Sequence, residues 1–175
     1  IALLEVLKEM GADIKLSNII NDYEPCANIS IRASGLKGIT LNPKLVPNLI
    51  DEIPILFIAA ALAKGTTRIR GAQELRFKES DRLESMARTL NLFGVKHKIL
   101  EDGIDIEGVD QFKTDLPFNS GEVDSFGDHR IAMASIIGAL RSKGTCKIKN
   151  CDNISTSFPG FIDLSNKIGI TLNKI

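Results

Sequence analysis

Two histidines, His97 and His129, and three cysteines with no C-x-x-C pair leave little from which to build a zinc site. The cysteines are Cys26, Cys146 and Cys151, an odd number, so free and mostly buried thiols in a reducing cytoplasm are expected. Neither sign of charge is in excess: Lys plus Arg number 22 and Asp plus Glu 22, with no long basic stripe. That argues against nucleic acid or an anionic membrane as the main partner. The longest apolar run is about ten residues, against the roughly 20 of a membrane-spanning helix. A Gly-rich phosphate loop is missing, which disfavours nucleoside triphosphate hydrolysis, and so is a G-x-S-x-G nucleophile elbow. Glu5 and Lys8 follow Ile1-Ala2-Leu3-Leu4 too closely for a signal peptide. With no initiator Met, and an opening already inside a helical pattern (Leu3, Leu4, Leu7, Met10), the chain is expected to be a piece of a longer protein.

What is present is a chain of 175 residues, 43% apolar, enough for one domain or a large part of one. Hydrophobic periodicity predicts an amphipathic helix over 1–10, short strands at 13–17, 27–33 and 36–41, and a polar turn between the first two. Pro43 and Pro47 mark a loop before Asp51-Glu52-Ile53-Pro54, with Pro54 suited to the first turn of a helix. That helix, Ile55 to Ala63, is apolar all round and is expected to be buried on every side. A strand at 66–70, an amphipathic helix from Ser80 or Asp81 to Gly94, and a hairpin of 96–100 with 104–107 follow. Residues 108–127 read as irregular. A second helix without a polar face, 131–140, precedes a strand at 146–149, an amphipathic helix from Phe158 to Gly169 and a closing strand at 170–175.

These elements repeat. Lys64-Gly65-Thr66 recurs as Lys143-Gly144-Thr145, 79 residues on, and the amphipathic helices each end in an apolar residue and glycine: Met10-Gly11, Phe93-Gly94, Ile168-Gly169. The expected architecture is an α/β (α+β) domain of repeated units, with buried parallel helices at the centre and small sheets and amphipathic helices outside. Residues 1–175 are read as one incomplete domain, with units at about 1–17 (partial), 18–107 and 108–175.

Arg76-Phe77-Lys78-Glu79-Ser80-Asp81-Arg82 places six ionisable groups in seven positions at a helix start. Asp81 with Glu84 reads as a variant capping box, which puts Arg82 in the first turn, against the helix dipole. Arg130 stands likewise after the expected N-cap Asp128. Either cluster alone reads better as a solvated helix end. Together they predict a site for a substrate with several negative charges. The offset of the repeat makes positions 51 and 130 equivalent, so Asp51, His129 and Arg130 are expected at one end of the domain. Asp51 and Glu79 supply two carboxylates, one to act as base and the other as acid, and His129 a relay or orienting group.

The heptad resembles the R-x-K-E-[ST]-D-R signature of the 3-phosphoshikimate 1-carboxyvinyltransferase (5-enolpyruvylshikimate-3-phosphate synthase) family. Gly127-Asp128-His129-Arg130-Ile131-Ala132-Met133-Ala134 resembles its second signature, and Ile50 to Pro54 and Thr156-Ser157-Phe158-Pro159 are similar to two further stretches in the right order. Thr156 stands where many members carry Lys, as it does in a second branch of the family. The resemblance implies two similar domains, each an inside-out α/β barrel of three units with outer four-stranded sheets, enolpyruvyltransferase-like. The active site would lie in the cleft between them. It implies transfer of the enolpyruvyl group of phosphoenolpyruvate to the 5-hydroxyl of shikimate 3-phosphate, with phosphate released. By the same resemblance Asp51 would contact the shikimate hydroxyl as base, and Glu79 would move the proton at the methylene carbon. Lys78 would meet shikimate 3-phosphate, Arg82 and Arg130 would hold phosphoenolpyruvate, and His129 would stand nearby. No cofactor and no metal are implied. The partner would be the missing N-terminal part of the same chain, in a full-length monomer, and the fragment alone is expected to be inactive. Rival readings are the related UDP-N-acetylglucosamine enolpyruvyltransferase, RNA 3′-phosphate cyclase and a non-catalytic anion-binding module.

Overall fold

Two helices, α2 (Ile53–Ala61) and α4 (His129–Ala139), form the centre, and the outer elements are placed by them. The computed structural model describes all residues except 1, 21, 111, 174 and 175. The other elements are α1 (Ala2–Glu9), β1 (Asp13–Ile20), β2 (Cys26–Arg32), β3 (Lys64–Ile69), α3 (Arg82–Leu92), β4 (Lys96–Ile99), β5 (Ile104–Val109), β6 (Glu122–Asp124), β7 (Lys147–Lys149), α5 (Asn153–Ser157) and α6 (Phe161–Lys167). Residues Pro43–Leu49 and Gln73–Phe77 are 3₁₀ helices. Among the described residues no helix is long and apolar enough to cross a membrane.

Helix α2 forms where the sequence places it, with Pro54 in the first turn, where its missing N–H costs nothing. Seven of its nine residues are buried, while Ile55 and Ala59 remain half-buried on one stripe. In α4 the corresponding stripe is Met133 and Ile137. The two helices pack side by side and run parallel. At one end Arg130, in the first turn of α4, bonds to the Asp51 carbonyl just before α2, and towards the other Gly138 lies against Ile58. Helix α4 does carry polar positions: buried Ser135 lies 3.5 Å from the Thr89 hydroxyl of α3. One apolar core joins α2, α3 and α4 to the inner faces of β3 and β5, and Phe93 stacks on Phe118 within it, ring centroids 4.9 Å apart.

The expected four-stranded sheets are not what the described residues build. There are sheets of two, three and two strands: β1–β2 antiparallel, β3-β5-β4 all antiparallel, and β6–β7 parallel. Single parallel bridges, Lys37 to Lys64 and Thr40 to Arg68, lay the 36–41 segment along the free edge of β3 without completing a strand. The same parallel relation recurs in the second unit as β6 beside β7, so the repeat is in the fold as well as in the letters. Periodicity cannot report such pairing, because a parallel neighbour lies a whole helix away in sequence.

Three other local expectations differ from the outcome. β1 runs on to Ile20, into the predicted turn, because Asn18 at φ 51° absorbs an irregularity in register between Ser17 and Ile20. The helix predicted from Phe158 starts only at Phe161, as α6, because Pro159-Gly160 keeps its first residues out of it, and a short helix not predicted, α5, stands before Phe158. No strand forms over 170–173, where no neighbouring strand offers hydrogen bonds, and the expected strand's last two residues lie outside the described ones. The glycines after α1, α3 and α6 do take the left-handed conformation that ends a helix: Gly11 φ 102°, Gly94 φ 77°, Gly169 φ 92°.

Candidate active site

Helices α2, α3 and α4 start at the same end of the molecule, and the starts of α3 and α4 are held by side-chain caps. Asp51 sits in the turn between the first 3₁₀ helix and α2. Asp81 caps α3, its carboxylate accepting the Glu84 N–H at 3.0 Å, which is the N-cap half of the capping box; the Glu84 side chain pairs with Arg88 instead. Arg76 anchors that cap to the β4–β5 turn: its guanidinium bonds to Asp81 at 2.8 Å and to the carbonyls of Glu101 and Leu100 at 2.9 and 2.7 Å. Asp128 caps α4 by accepting the Arg130 N–H at 2.9 Å. The turn before it is tied down by Ser125, whose hydroxyl donates to the carbonyls of Lys149 and Asn150. Asp124 takes part in the same turn. The Phe126 N–H, then the Asn150 amide, hold its carboxyl below the usual carboxylate range despite some burial.

Arg82 is where these starts meet. Its side chain is 1% exposed, and its guanidinium is shared among three carboxylates. Nε donates to Asp128 Oδ2 at 2.8 Å, Nη1 to Asp51 Oδ1 at 2.8 Å and Nη2 to Glu79 Oε2 at 2.6 Å. A cation in the first turn opposes the helix dipole by roughly 0.3–1 kcal/mol. Charge-assisted hydrogen bonds, worth about 1.5–3 kcal/mol each, outweigh that. Arg82 therefore stands as the buried hub of an ion network, where the heptad suggested an open anion-binding cation. Asp128, fully buried, is the member that sequence reading treated only as a cap. Ser80 adds a hydroxyl donor to the same Oδ2 at 3.1 Å. An acid already explained by its cap gives no sign of a partner 46 residues away.

The remaining predicted residues surround this hub. Arg130 reaches the Asp51 carbonyl at 2.7 Å, the Asp51 carboxylate at 3.7 Å and Glu52 at 3.6 Å. Lys78 pairs with Glu74 at 2.7 Å, and this bond, opposed by some burial and helped by the charges of Glu74 and Asp51, raises its pKa. The like charges of Lys78 and Arg82, four residues apart, are answered by Glu74 on the first and by Asp51, Glu79 and Asp128 on the second. Burial pushes the Asp51 carboxyl up, but the Arg82 hydrogen bond and the charges of Arg130, Arg82 and Lys78 hold it below its ordinary value. His129 is half-buried at the start of α4, and its ring makes no hydrogen bond or ion pair among the described residues. Asp51, Lys78, Glu79, Arg82 and Arg130 thus form one electrostatic cluster at the shared end, with His129 beside it in sequence. No group of three or more His, Cys, Asp or Glu among the described residues is arranged to hold a metal ion.

Two surface clefts lie elsewhere. One is bounded by Leu7, Ile14, Ile31 and Phe112, and the other by Lys64, Gly94, Lys96 and Gly108, towards the far end of the central helices. The charged cluster is a face rather than a cavity: Asp51 and Glu79 are 45% and 50% exposed.

A family model described as EPSP synthase (3-phosphoshikimate 1-carboxyvinyltransferase) matches residues 1–164. Curated relatives named 3-phosphoshikimate 1-carboxyvinyltransferase include that of Coxiella burnetii (strain RSA 493 / Nine Mile phase I), 42% identical over 176 residues, covering 100% of this chain and 39% of the relative. That of Halorhodospira halophila is 45% identical over 168 residues, covering 95% and 36%. Among solved structures, an EPSP synthase from Acinetobacter baumannii superposes with a TM-score of 0.93 at 44% identity, covering 97% of this chain and 39% of that one. The enolpyruvyl transferase NikO from Streptomyces tendae shares the fold at a TM-score of 0.64 and 17% identity, covering 96% and 35%. The chain spans about two fifths of the length of these relatives.

Proposed function

Because the chain belongs to the EPSP synthase (3-phosphoshikimate 1-carboxyvinyltransferase) family, we propose that the protein it forms part of transfers the enolpyruvyl group of phosphoenolpyruvate to the 5-hydroxyl of shikimate 3-phosphate, releasing phosphate. In this reading residues 1–175 are most of one domain, an inside-out barrel. The rest of the chain supplies the other side of the cleft, in a monomer working in the cytoplasm.

The observation that carries the reading is the convergence of Asp51, Glu79, Arg82 and Arg130 on one face from the starts of three helices. Adding an alcohol across an enol phosphate needs a proton on the CH₂ carbon and a base on the O–H. Collapse of the tetrahedral intermediate takes a proton back from the new methyl group, breaks the C–O bond to phosphate and gives the departing phosphate a proton. Two carboxylates of different setting suffice for this. Glu79 delivers and retrieves the proton at the methylene carbon. Asp51 takes the hydroxyl proton. Arg82 and Arg130 hold the carboxylate and phosphate of phosphoenolpyruvate through charge-assisted bonds. Lys78 meets shikimate 3-phosphate, and His129 orients the anion beside Arg130.

The test is phosphate release by the full-length protein with phosphoenolpyruvate and either shikimate 3-phosphate or UDP-N-acetylglucosamine. Turnover confined to shikimate 3-phosphate, falling at least 100-fold in both Glu79→Gln and Asp51→Asn, is expected for a general acid and a general base. Turnover with the UDP-sugar, or none with either acceptor, overturns the assignment.

A further inference from the structure

We propose that Arg82 is an exchangeable latch: in the ligand-free protein it holds Asp51 and Glu79, and an incoming anion takes their places on its terminal nitrogens and releases both carboxylates for chemistry. This deepens the reading of the same site and rests on it for the identity of the anion. Its basis is the unequal character of the three carboxylates. Asp128 is 0% exposed and has no freedom to leave. Its Oδ2 is held by Arg82 Nε and the Ser80 hydroxyl, and its Oδ1 by the Arg130 N–H. Asp51 and Glu79 are about half exposed and reach Arg82 through one oxygen each, on Nη1 and Nη2.

The guanidinium therefore has a permanent side and a replaceable side. The replaceable side presents two parallel donors, the fork that suits a carboxylate or phosphate. The three carboxylates take three of the guanidinium's five N–H groups and leave the side chain 1% exposed, so an anion reaches the terminal nitrogens only through the places that Asp51 and Glu79 hold, and binding there displaces both. Release matters for the reaction. The Asp51 oxygen held by Arg82 cannot turn to a hydroxyl proton, and the Glu79 oxygen so held cannot turn to the methylene carbon. The exchange removes both restraints only when the anion is in place, so the acid and base are set free beside a bound substrate. Asp128 is then a positioning residue: it keeps Arg82 from following its ligand.

The experiment uses the full-length protein as wild type, Glu79→Gln, Asp51→Asn and Glu52→Gln. Calorimetry measures the binding of phosphoenolpyruvate and, separately, of inorganic phosphate. Glu52 lies near Arg130 but is not on Arg82, so Glu52→Gln reports the plain loss of one negative charge. The latch predicts that both anions bind roughly tenfold more tightly to Glu79→Gln and to Asp51→Asn, as expected when a competing charge-assisted hydrogen bond is weakened. Glu52→Gln should gain clearly less. Equal gains in all three variants, or unchanged or weaker binding in Glu79→Gln and Asp51→Asn, overturn the latch, as does no binding of either anion by any of the proteins. If phosphoenolpyruvate shows no advantage over inorganic phosphate while both bind the two variants more tightly, the substrate reading falls and the latch stands.

Discussion

Arg82 carries a cost at every level of local physics: a buried cation, a first-turn position against the dipole, and a long side chain held in one conformation. What offsets the cost is Asp128, the partner that shares its burial. Removing one member of a buried pair leaves the other uncompensated, at about 3–5 kcal/mol. Asp128→Ala in the full-length protein should therefore lower thermal stability sharply. Ser80→Ala, which removes only a hydroxyl donor, should cost far less, on the order of 1 kcal/mol. Melting curves of the two variants check the ordering. Asp51 predicts a pH effect. Its folded-state pKa lies below the ordinary value, so its contribution to stability is present above about pH 4 and is lost as pH falls further. Asp51→Asn should have a shallower acid limb than wild type when melting temperature is followed from pH 7 to pH 3. At this scale the sequence revealed which residues matter, because cations in first helical turns are conspicuous. It did not reveal that Arg82 is shared among three carboxylates, since two of its three partners come from other helix starts, 31 and 46 residues away.

The elements hold the hub by close approach. Gly108 of β5 sits on the C-terminal end of α2, and a Cβ there would lie 2.0 Å from the Ala63 carbonyl oxygen and 2.4 Å from that of Ala60. Both are backbone atoms, so the strand would have to lift from the helix. Gly108→Ala should destabilise by about 1–3 kcal/mol. Gly160→Ala, with nothing within 4 Å, should stay within about 0.5 kcal/mol of wild type. Denaturation of the two variants side by side separates packing from a general loss of glycine. The helices were the most legible elements: α3 shows a helical period, α2 and α4 show long apolar runs, and each has a start signal. The sheets were less so. β6 is three residues in a stretch rich in Asp, Gly and Ser, and only its parallel partner β7, beyond a whole helix, makes it a strand. The 36–41 segment shows the opposite error, a strand-like pattern that earns only two bridges to β3.

Over the whole molecule, several apolar faces that periodicity turned inward are uncovered. Ile29 and Ile31 share a face of the β1–β2 hairpin with Ile14 and Leu16, yet both are exposed, and Ile162, Leu164 and Ile168 are exposed around α6. A two-stranded sheet with one open apolar face is marginal by itself. Together with the chain spanning 39% of the Coxiella relative's length, this supports the proposal that 1–175 works as part of a larger protein. The segment alone should show no enolpyruvyl transfer under conditions where the full-length protein turns over, and detectable release of phosphate by the segment would contradict that. The most direct measurement is a crystal structure of the full-length protein with phosphoenolpyruvate and shikimate 3-phosphate. The account predicts ligand oxygens within hydrogen-bond distance of both Arg82 and Arg130, Asp128 still on Arg82 Nε, and Asp51 and Glu79 turned from Arg82 towards the reacting atoms. Ligands bound away from this face, with Arg82 still gripping all three carboxylates, would contradict it.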